Sequence, residues 1–206
     1  RTRYAADPLH VKEAAAMLVA AKRPVIYAGQ GVHYAKAWPQ LRRLAERLAI
    51  PVTSSLGGKS SFPETHPLSL RWLGMHGAAF ANWAVNGGFG PHKNPAGPLK
   101  KIAPGADLLL AFGVRFDDRV TGKVDKFCEG GTIVHLDIDP SEINKNKPAN
   151  LPIVSDIKYA LERLNEMIKR RPIQKKFTAW HQQIEAWKKK APFGYRLTEE
   201  VMKSQH

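Results

Sequence analysis

The segment ADLLLAFGVRFDDRVTGK, residues 106–123, decides the fold class. It opens with an apolar run, Leu108 to Phe112, which is too short to span a membrane and has the length of a buried strand in a parallel sheet. Gly113 ends this run, and the charged residues that follow it are Arg115, Asp117, Asp118 and Arg119. In open α/β sheets, ligands bind at the loops leaving the carboxyl ends of strands. Alternating arginine and aspartate there suits a ligand with phosphates and hydroxyls; the alternative is a solvated loop whose charges pair with each other.

Outward from this segment, helical and strand-like patterns alternate. This alternation predicts an α/β fold, a doubly wound parallel sheet of about six strands with helices on both faces. The predicted helices cover residues 8–22, 37–49, 78–85, 156–169 and 174–190. The predicted strands cover residues 24–28, 51–53, 108–112, 132–136 and 152–154. Residues 54–76 show little periodicity and are predicted to form a long loop.

The composition predicts one domain, or one domain with an appendage. The chain has 206 residues, of which 43% are hydrophobic, enough for a sizeable core. A single cysteine, Cys128, excludes an intrachain disulfide and fits a reducing compartment, so we expect a cytoplasmic, bacterial-type protein. We find no membrane-spanning stretch and no signal-peptide layout. The chain does not begin with Met, so we expect a fragment of a longer protein.

The net charge of +14 is compatible with a protein that binds nucleic acid. However, the basic residues are spread over helix faces and a C-terminal segment, so solvated helix faces are the preferred interpretation. In that segment the spacing of Phe177, Trp180, Ile184 and Trp187 predicts one apolar helix face. This face either docks on its own domain or the next one, or presents aromatic rings that stack bases.

Several residues at the predicted strand ends are of types that often bind ligands or metal ions. Gly29 and Gly31 follow a strand, but Tyr34 stands where a third small residue would complete the dinucleotide fingerprint, so the standard NAD motif is excluded. These glycines form a turn or let a ligand approach the backbone. Asp137 ends a strand, where a carboxylate accepts hydrogen bonds from ribose hydroxyls. His66 and His76 have no second ligand at a metal-like spacing, and we predict no metal site.

Three motifs resemble the middle domain of the acetohydroxyacid synthase (acetolactate synthase) large catalytic subunit. They are GVRFDDRVTGK at 113–123, HLDIDPSEINKNK at 135–147 and LGMHG at 73–77. The resemblance covers essentially the whole chain. It implies a central FAD- and nucleotide-binding domain over 1–172, and over 173–206 a linker helix leading to a C-terminal thiamine-binding domain. About eighteen residues, 87–104, depart from the family pattern and are predicted to be a surface insertion that leaves the core intact.

The resemblance also implies which residues contact FAD. They are Gly29, Gln30, Gly31, Ser55, Leu56, Leu73, Gly74, Met75, His76, Gly113, Val114, Arg115, Asp117, Asp118, Arg119, Asp137, Ile138, Asp156 and Ile157. Among these, Met75, Asp118 and Arg119 would also lie near the substrate channel. Asp137, Ile138, Asp156 and Ile157 would lie at the adenosine end. No residue of the chain is predicted to be a catalytic acid or base.

By the same resemblance, the parent enzyme uses thiamine diphosphate and Mg²⁺ to join pyruvate to a second 2-oxo acid, a step toward the branched-chain amino acids. The segments that would hold thiamine diphosphate and Mg²⁺ are absent, so we expect the chain alone to be inactive. Its expected partners are other domains of the same polypeptide, in a homodimer or homotetramer with a small regulatory subunit. The alternatives are a glyoxylate carboligase, an ADP-binding thiamine enzyme, and a stand-alone nucleotide-binding module.

Overall fold

A six-stranded parallel sheet forms the centre of the molecule. The computed structural model describes residues 4–89, 101–169 and 177–194. The strands of the sheet are β1 (Pro24–Ala28), β2 (Val52–Ser54), β3 (Ser69–Trp72), β6 (Leu108–Phe112), β7 (Thr132–Asp137) and β8 (Leu151–Val154). Their order is β3-β2-β1-β6-β7-β8, and every pairing is parallel. This order is that of a doubly wound sheet, with its switch point between β1 and β6. The predicted fold class is confirmed.

Helices connect the strands. They are α1 (Pro8–Ala20), α2 (Gln30–Tyr34), α3 (Trp38–Leu48), α4 (Ala79–Asn86), α5 (Asp118–Thr121), α6 (Ile157–Lys169) and α7 (Thr178–Lys190), with short 3₁₀ turns at Leu56–Gly58 and Val124–Lys126. Asp7 begins α1 as predicted, because its carboxylate accepts the Leu9 N–H at 2.8 Å and Pro8 occupies the first turn. Helix α6 packs against α1 and α3, and α4 packs against α7.

The two central strands explain why the organising segment is so apolar. All five residues of β1 and all five of β6 are buried, since the sheet is covered on both faces there. Their register pairs Pro24 with Leu108 and Ala28 with Phe112. Both strands therefore end at the same level, and the loops that follow them start side by side.

The prediction that residues 54–76 form only a loop was wrong. Ser69–Trp72 forms the edge strand β3, which pairs with β2. This strand has four residues, its register shifts along β2, and Arg71 has a positive φ of 57°. A strand this short and irregular produces no alternation that a sequence pattern could reveal.

Part of the predicted insertion forms a small sheet. β4 (Gly88–Phe89) pairs antiparallel with β5 (Lys101–Ala103), outside the main sheet. Residues 90–100 lie outside the described residues. Gly88 lies directly against the Trp187 ring, where a Cβ atom would come within 2.9 Å of Nε1. That 87–104 can be removed without harm to the core stays a prediction.

Helix α7 docks on the domain that precedes it. The residues predicted to form its apolar face are all buried, and the Trp180 indole N–H donates to the Pro24 carbonyl at 3.2 Å. The His181 ring bonds the Ala49 carbonyl at 2.8 Å, and Trp187 packs edge-on against Trp83 of α4. Trp180 and Trp187, which are buried, are thus not available to stack bases. None of the helices in the described residues is both long and apolar enough to cross a membrane.

Candidate functional site

A large cleft runs along the carboxyl edge of the sheet. Its volume is about 1040 Å³, at the upper end of the range for small-molecule sites. Loops that follow all six strands contribute to its walls, and the switch point between β1 and β6 lies in the middle. The cleft is therefore where a doubly wound fold binds an extended ligand.

The structure brings the predicted site residues together. All of them line this cleft except Gly29 and Gly74. The lining residues are Gln30, Gly31, Ser55, Leu56, Leu73, Met75, His76, Gly113, Val114, Arg115, Asp117, Asp118, Arg119, Asp137, Ile138, Asp156 and Ile157. Their assignment to FAD stays a prediction, but the sequence motifs that carried it meet in one place.

The glycines at the switch point allow two loops to cross. The Gly29 N–H donates to the Phe112 carbonyl at 2.9 Å, and the Gly31 N–H donates to the Gly113 carbonyl at 3.2 Å. A Cβ atom on Gly29 would lie 2.0 Å from the Gly113 carbonyl oxygen, which no side chain can tolerate. Gly29 therefore serves loop–loop packing, whereas Gly31 both packs on Gly113 and faces the cleft.

We call residues 113–119 the signature loop. In its first half, buried side chains alternate with side chains that are at least partly exposed. Val114 and Phe116 are buried, whereas Arg115 is exposed and Asp117 is half-buried. Among the ion pairs of the described residues, none involves the charged side chains of this loop, which are Arg115, Asp117, Asp118 and Arg119. The charges of the loop are thus not paired with one another. A guanidinium and carboxylates remain available to a polar ligand.

One end of the cleft is acidic. Asp137 closes β7, is only 8% exposed, and accepts the Asp139 N–H at 3.0 Å. Burial raises the pKa of its carboxyl group, and the hydrogen bonds and His135 oppose this rise only in part. Asp156 accepts the Tyr159 N–H at 2.8 Å and so caps α6 while lining the cleft. Glu142 also lines the cleft, and its Oε2 atom is buried with no hydrogen-bond partner among the described residues.

The other end is more apolar. Leu56, Trp72, Leu73 and Met75 line it, with Leu56 and Met75 mostly exposed. The Met75 N–H donates to the Arg119 carbonyl at 2.8 Å, which ties this wall to the signature loop. Gly74 does not line the cleft because, at a φ of 110°, it packs against that same carbonyl. This end therefore offers apolar surface to a ligand.

Sequence reasoning missed several residues of the walls. They are Tyr27, Tyr34, Ala35, Gly57, Trp72, Val120, Asp139 and Glu142. Tyr27 lies on the buried β1, and this burial raises the pKa of its phenol, so that it stays neutral. Asp139 lies two residues after the end of β7, so extending the strand-end rule by two residues would have found it, whereas Glu142 lies further along the same segment.

The two histidines that were examined as metal ligands do not come together in one site. His66 lies outside the cleft, with its Nε2 3.3 Å from Glu46 and its ring edge-on to Phe62. His76 lines the cleft. Across residues 4–89, 101–169 and 177–194, no three His, Cys, Asp or Glu side chains form a group that could hold a metal ion.

Comparison with known proteins gives the family. A family model described as the central domain of thiamine pyrophosphate enzymes matches residues 11–164. The chain belongs to this family. It is 42% identical over 187 residues to acetolactate synthase 2, chloroplastic, of Zea mays, an alignment that covers 90% of this chain and 26% of that protein.

Bacterial relatives give the same picture. The acetolactate synthase large subunit of Parasynechococcus marenigrum is 41% identical over 90% of this chain and 27% of its own length. That of Buchnera aphidicola is 39% identical over 95% of this chain and 31% of its own length. The chain thus spans between a quarter and a third of these relatives.

Proposed function

We propose that this chain is the central, FAD-binding domain of an acetolactate synthase large subunit. The observation that carries the proposal is the single cleft in which the three recognised motifs meet, in a chain whose relatives bear that name. The whole protein would use thiamine diphosphate with Mg²⁺, held by domains outside this chain, to supply the carbon–carbon bond chemistry between pyruvate and a second 2-oxo acid. Other domains of the same polypeptide would be its partners, in a homodimer or homotetramer with a small regulatory subunit.

The chemistry of the cleft supports FAD as its ligand. Asp137 and Asp156 offer carboxylates to the hydroxyls and amino group of an adenosine. Arg115, which forms no ion pair within the described residues, offers a guanidinium that can make charge-assisted hydrogen bonds to a pyrophosphate. Leu73 and Met75 offer apolar surface to an isoalloxazine ring at the far end. In the strand order, β6 with Arg115 lies between β7 and β8 on one side and β2 and β3 on the other, so a pyrophosphate would lie between the adenosine and the ring.

The role of the chain is to bind and orient, and we propose no catalytic acid or base in it. By the resemblance, Met75, Asp118 and Arg119 would also lie near the substrate channel of the whole enzyme. A glyoxylate carboligase or an ADP-binding enzyme of the same family is the alternative, since both would share this fold.

Substitution of Arg115 tests the proposal. In the full-length protein, Arg115→Ala should weaken FAD binding by about 1–3 kcal/mol, the contribution of a hydrogen bond to a charged group. The measurement is a titration of apoprotein with FAD followed by flavin fluorescence. Arg163→Ala, which removes an exposed arginine of α6 paired with Glu166, is the matched control and should leave the affinity unchanged.

The identity of the bound nucleotide and of the products separates the alternatives. Heat-released nucleotide from the full-length protein should be FAD, and pyruvate should yield acetolactate. Release of ADP would favour the ADP-binding enzymes, and turnover of glyoxylate without pyruvate would favour a carboligase of that substrate.

A further inference from the structure

The signature loop is held rigidly from the inside. The His135 ring, fully buried on β7, bonds the Val114 carbonyl through Nε2 at 2.9 Å. Phe116 has a φ of 50°, and its ring lies against Tyr27, Phe127 and His135, at centroid distances of 5.9, 5.9 and 4.9 Å. A buried phenylalanine in the left-handed region is strained, and such strain persists only where surrounding contacts over-determine the backbone.

The same loop is held from the outside by the segment that follows β7. The Asn146 side-chain amide donates to the Arg115 carbonyl at 2.9 Å. Its neighbour Lys147 donates through Nζ to the Val124 carbonyl at 2.8 Å, just beyond the signature loop. The side chain of Asn144, at a φ of 61°, accepts the Ala149 N–H at 2.8 Å and shapes the turn that carries both donors.

We infer that Asn146 is a positioning residue for the ligand site, one that fixes the backbone of Arg115 from outside the cleft. This inference rests on the proposed flavin site. The anchors at Val114 and Phe116 flank Arg115, and Asn146 bonds the residue between them. Asn146 is exposed and does not line the cleft, so it adds little to the core and does not touch the ligand. Its effect is preorganisation: without it, the ligand must order the Arg115 backbone on binding.

Two substitutions at this position test the inference in the full-length protein. Asn146→Ala removes the donor, and Asn146→Asp removes it while keeping the size of the side chain. Both should weaken FAD binding about three- to tenfold, the range for loss of one hydrogen bond. Both should speed amide hydrogen exchange in the peptide spanning 113–119, and the midpoint of thermal unfolding should stay within about 1 °C of wild type. Gln182→Ala, an exposed amide on α7, is the matched control and should change none of these.

The outcomes are distinct. Weaker flavin binding with faster exchange confined to the signature loop supports the inference. Wild-type flavin affinity in Asn146→Ala, in a protein that does retain FAD, overturns it and leaves the proposed function intact. A general loss of stability with faster exchange throughout the sheet also overturns it, since the role would then be structural. Wild-type protein that retains no FAD contradicts the proposed function, and the inference falls with it.

Discussion

Asp137 shows, at a single residue, how the burial of a proposed ligand-binding carboxylate affects stability. Its carboxylate lies at the end of a buried strand, and burial raises its pKa above the ordinary value. The folded state therefore holds the proton more tightly than the unfolded state does. Stability contributed by this group is present at low pH and falls as the pH rises from about 4 through the raised pKa. Above that raised pKa, where the carboxylate is ionised, its buried charge lowers the stability of the free protein.

Asp137→Asn should therefore raise the thermal midpoint of the free protein at pH 7 while it weakens FAD binding roughly tenfold or more. The amide keeps an acceptor for the Asp139 N–H but loses the charge that would hold ribose hydroxyls. Calorimetry with and without FAD would measure both effects. A variant that is less stable than wild type when free would show that the carboxylate serves the fold rather than the ligand.

The burial of His135 makes the free energy of unfolding decrease as the pH becomes acidic. Burial lowers the pKa of its ring, an effect that the Val114 carbonyl, Asp137 and Glu142 only partly oppose. The unfolded chain then binds a proton more readily, so stability is lost as the pH falls below about 6.5 toward the lowered pKa, by at most about 1.4 kcal/mol per pH unit. His135→Gln can still donate to Val114 and should flatten this slope in urea unfolding measured between pH 7.5 and 5.5. An unchanged slope would place its origin in another group.

At the scale of elements, helix α7 packs on the domain that precedes it and is part of its core. The sequence predicted a linker helix whose apolar face docks on its own domain or the next one, and Trp180 is indeed buried and bonds the Pro24 carbonyl of β1. Trp180→Ala should lower the free energy of unfolding by about 3–5 kcal/mol, the cost of truncating a buried tryptophan. Chemical unfolding of the chain, with Gln182→Ala on the same helix as control, measures this. A loss below about 1 kcal/mol would mean that α7 is only loosely attached.

A helix or strand could be predicted from the sequence where its pattern lies within a few consecutive residues. Strand β6 was predicted because five consecutive apolar residues end at Gly113, and α7 because four large apolar residues share one helical face. Strand β3 was missed because its pairing with β2, more than ten residues away, defines it rather than its own pattern. The bond from His135 to Val114 spans 21 residues and the positive φ of Phe116 has no sequence signature, so neither could be predicted.

The residues that line the cleft were predicted more completely than the bounds of the helices and strands, and the reason lies in the topology of the sheet. In a parallel doubly wound sheet, every strand's carboxyl end points to one edge, so motifs at strand ends converge even when their spacing along the chain is large. The loops carrying Met75, Arg115 and Asp137 meet for that reason. Wall residues that come from the middle of a loop, such as Glu142, depend on the path of the loop and escape this rule.

At the scale of the whole molecule, several large apolar side chains on the walls of the cleft are exposed to solvent. Tyr34 is 78% exposed, Leu56 65%, Met75 62% and Ile138 50%, and all four line the cleft. Large exposed apolar side chains around a site favour a surface that another part of the protein covers. The chain spans between a quarter and a third of the length of its relatives, so further domains of the proposed parent protein would supply this cover.

The isolated 206-residue chain should therefore bind FAD at least about tenfold more weakly than the full-length protein, because a cleft open to water leaves part of the ligand solvated. Parallel fluorescence titrations of the two proteins at the same ionic strength would measure the ratio. Paired substitution of Leu56 and Met75 by serine should reduce the affinity of the full-length protein more than that of the isolated chain, since in the former other domains would also pack against these side chains. Equal affinities for the two proteins would mean that this chain alone completes the site.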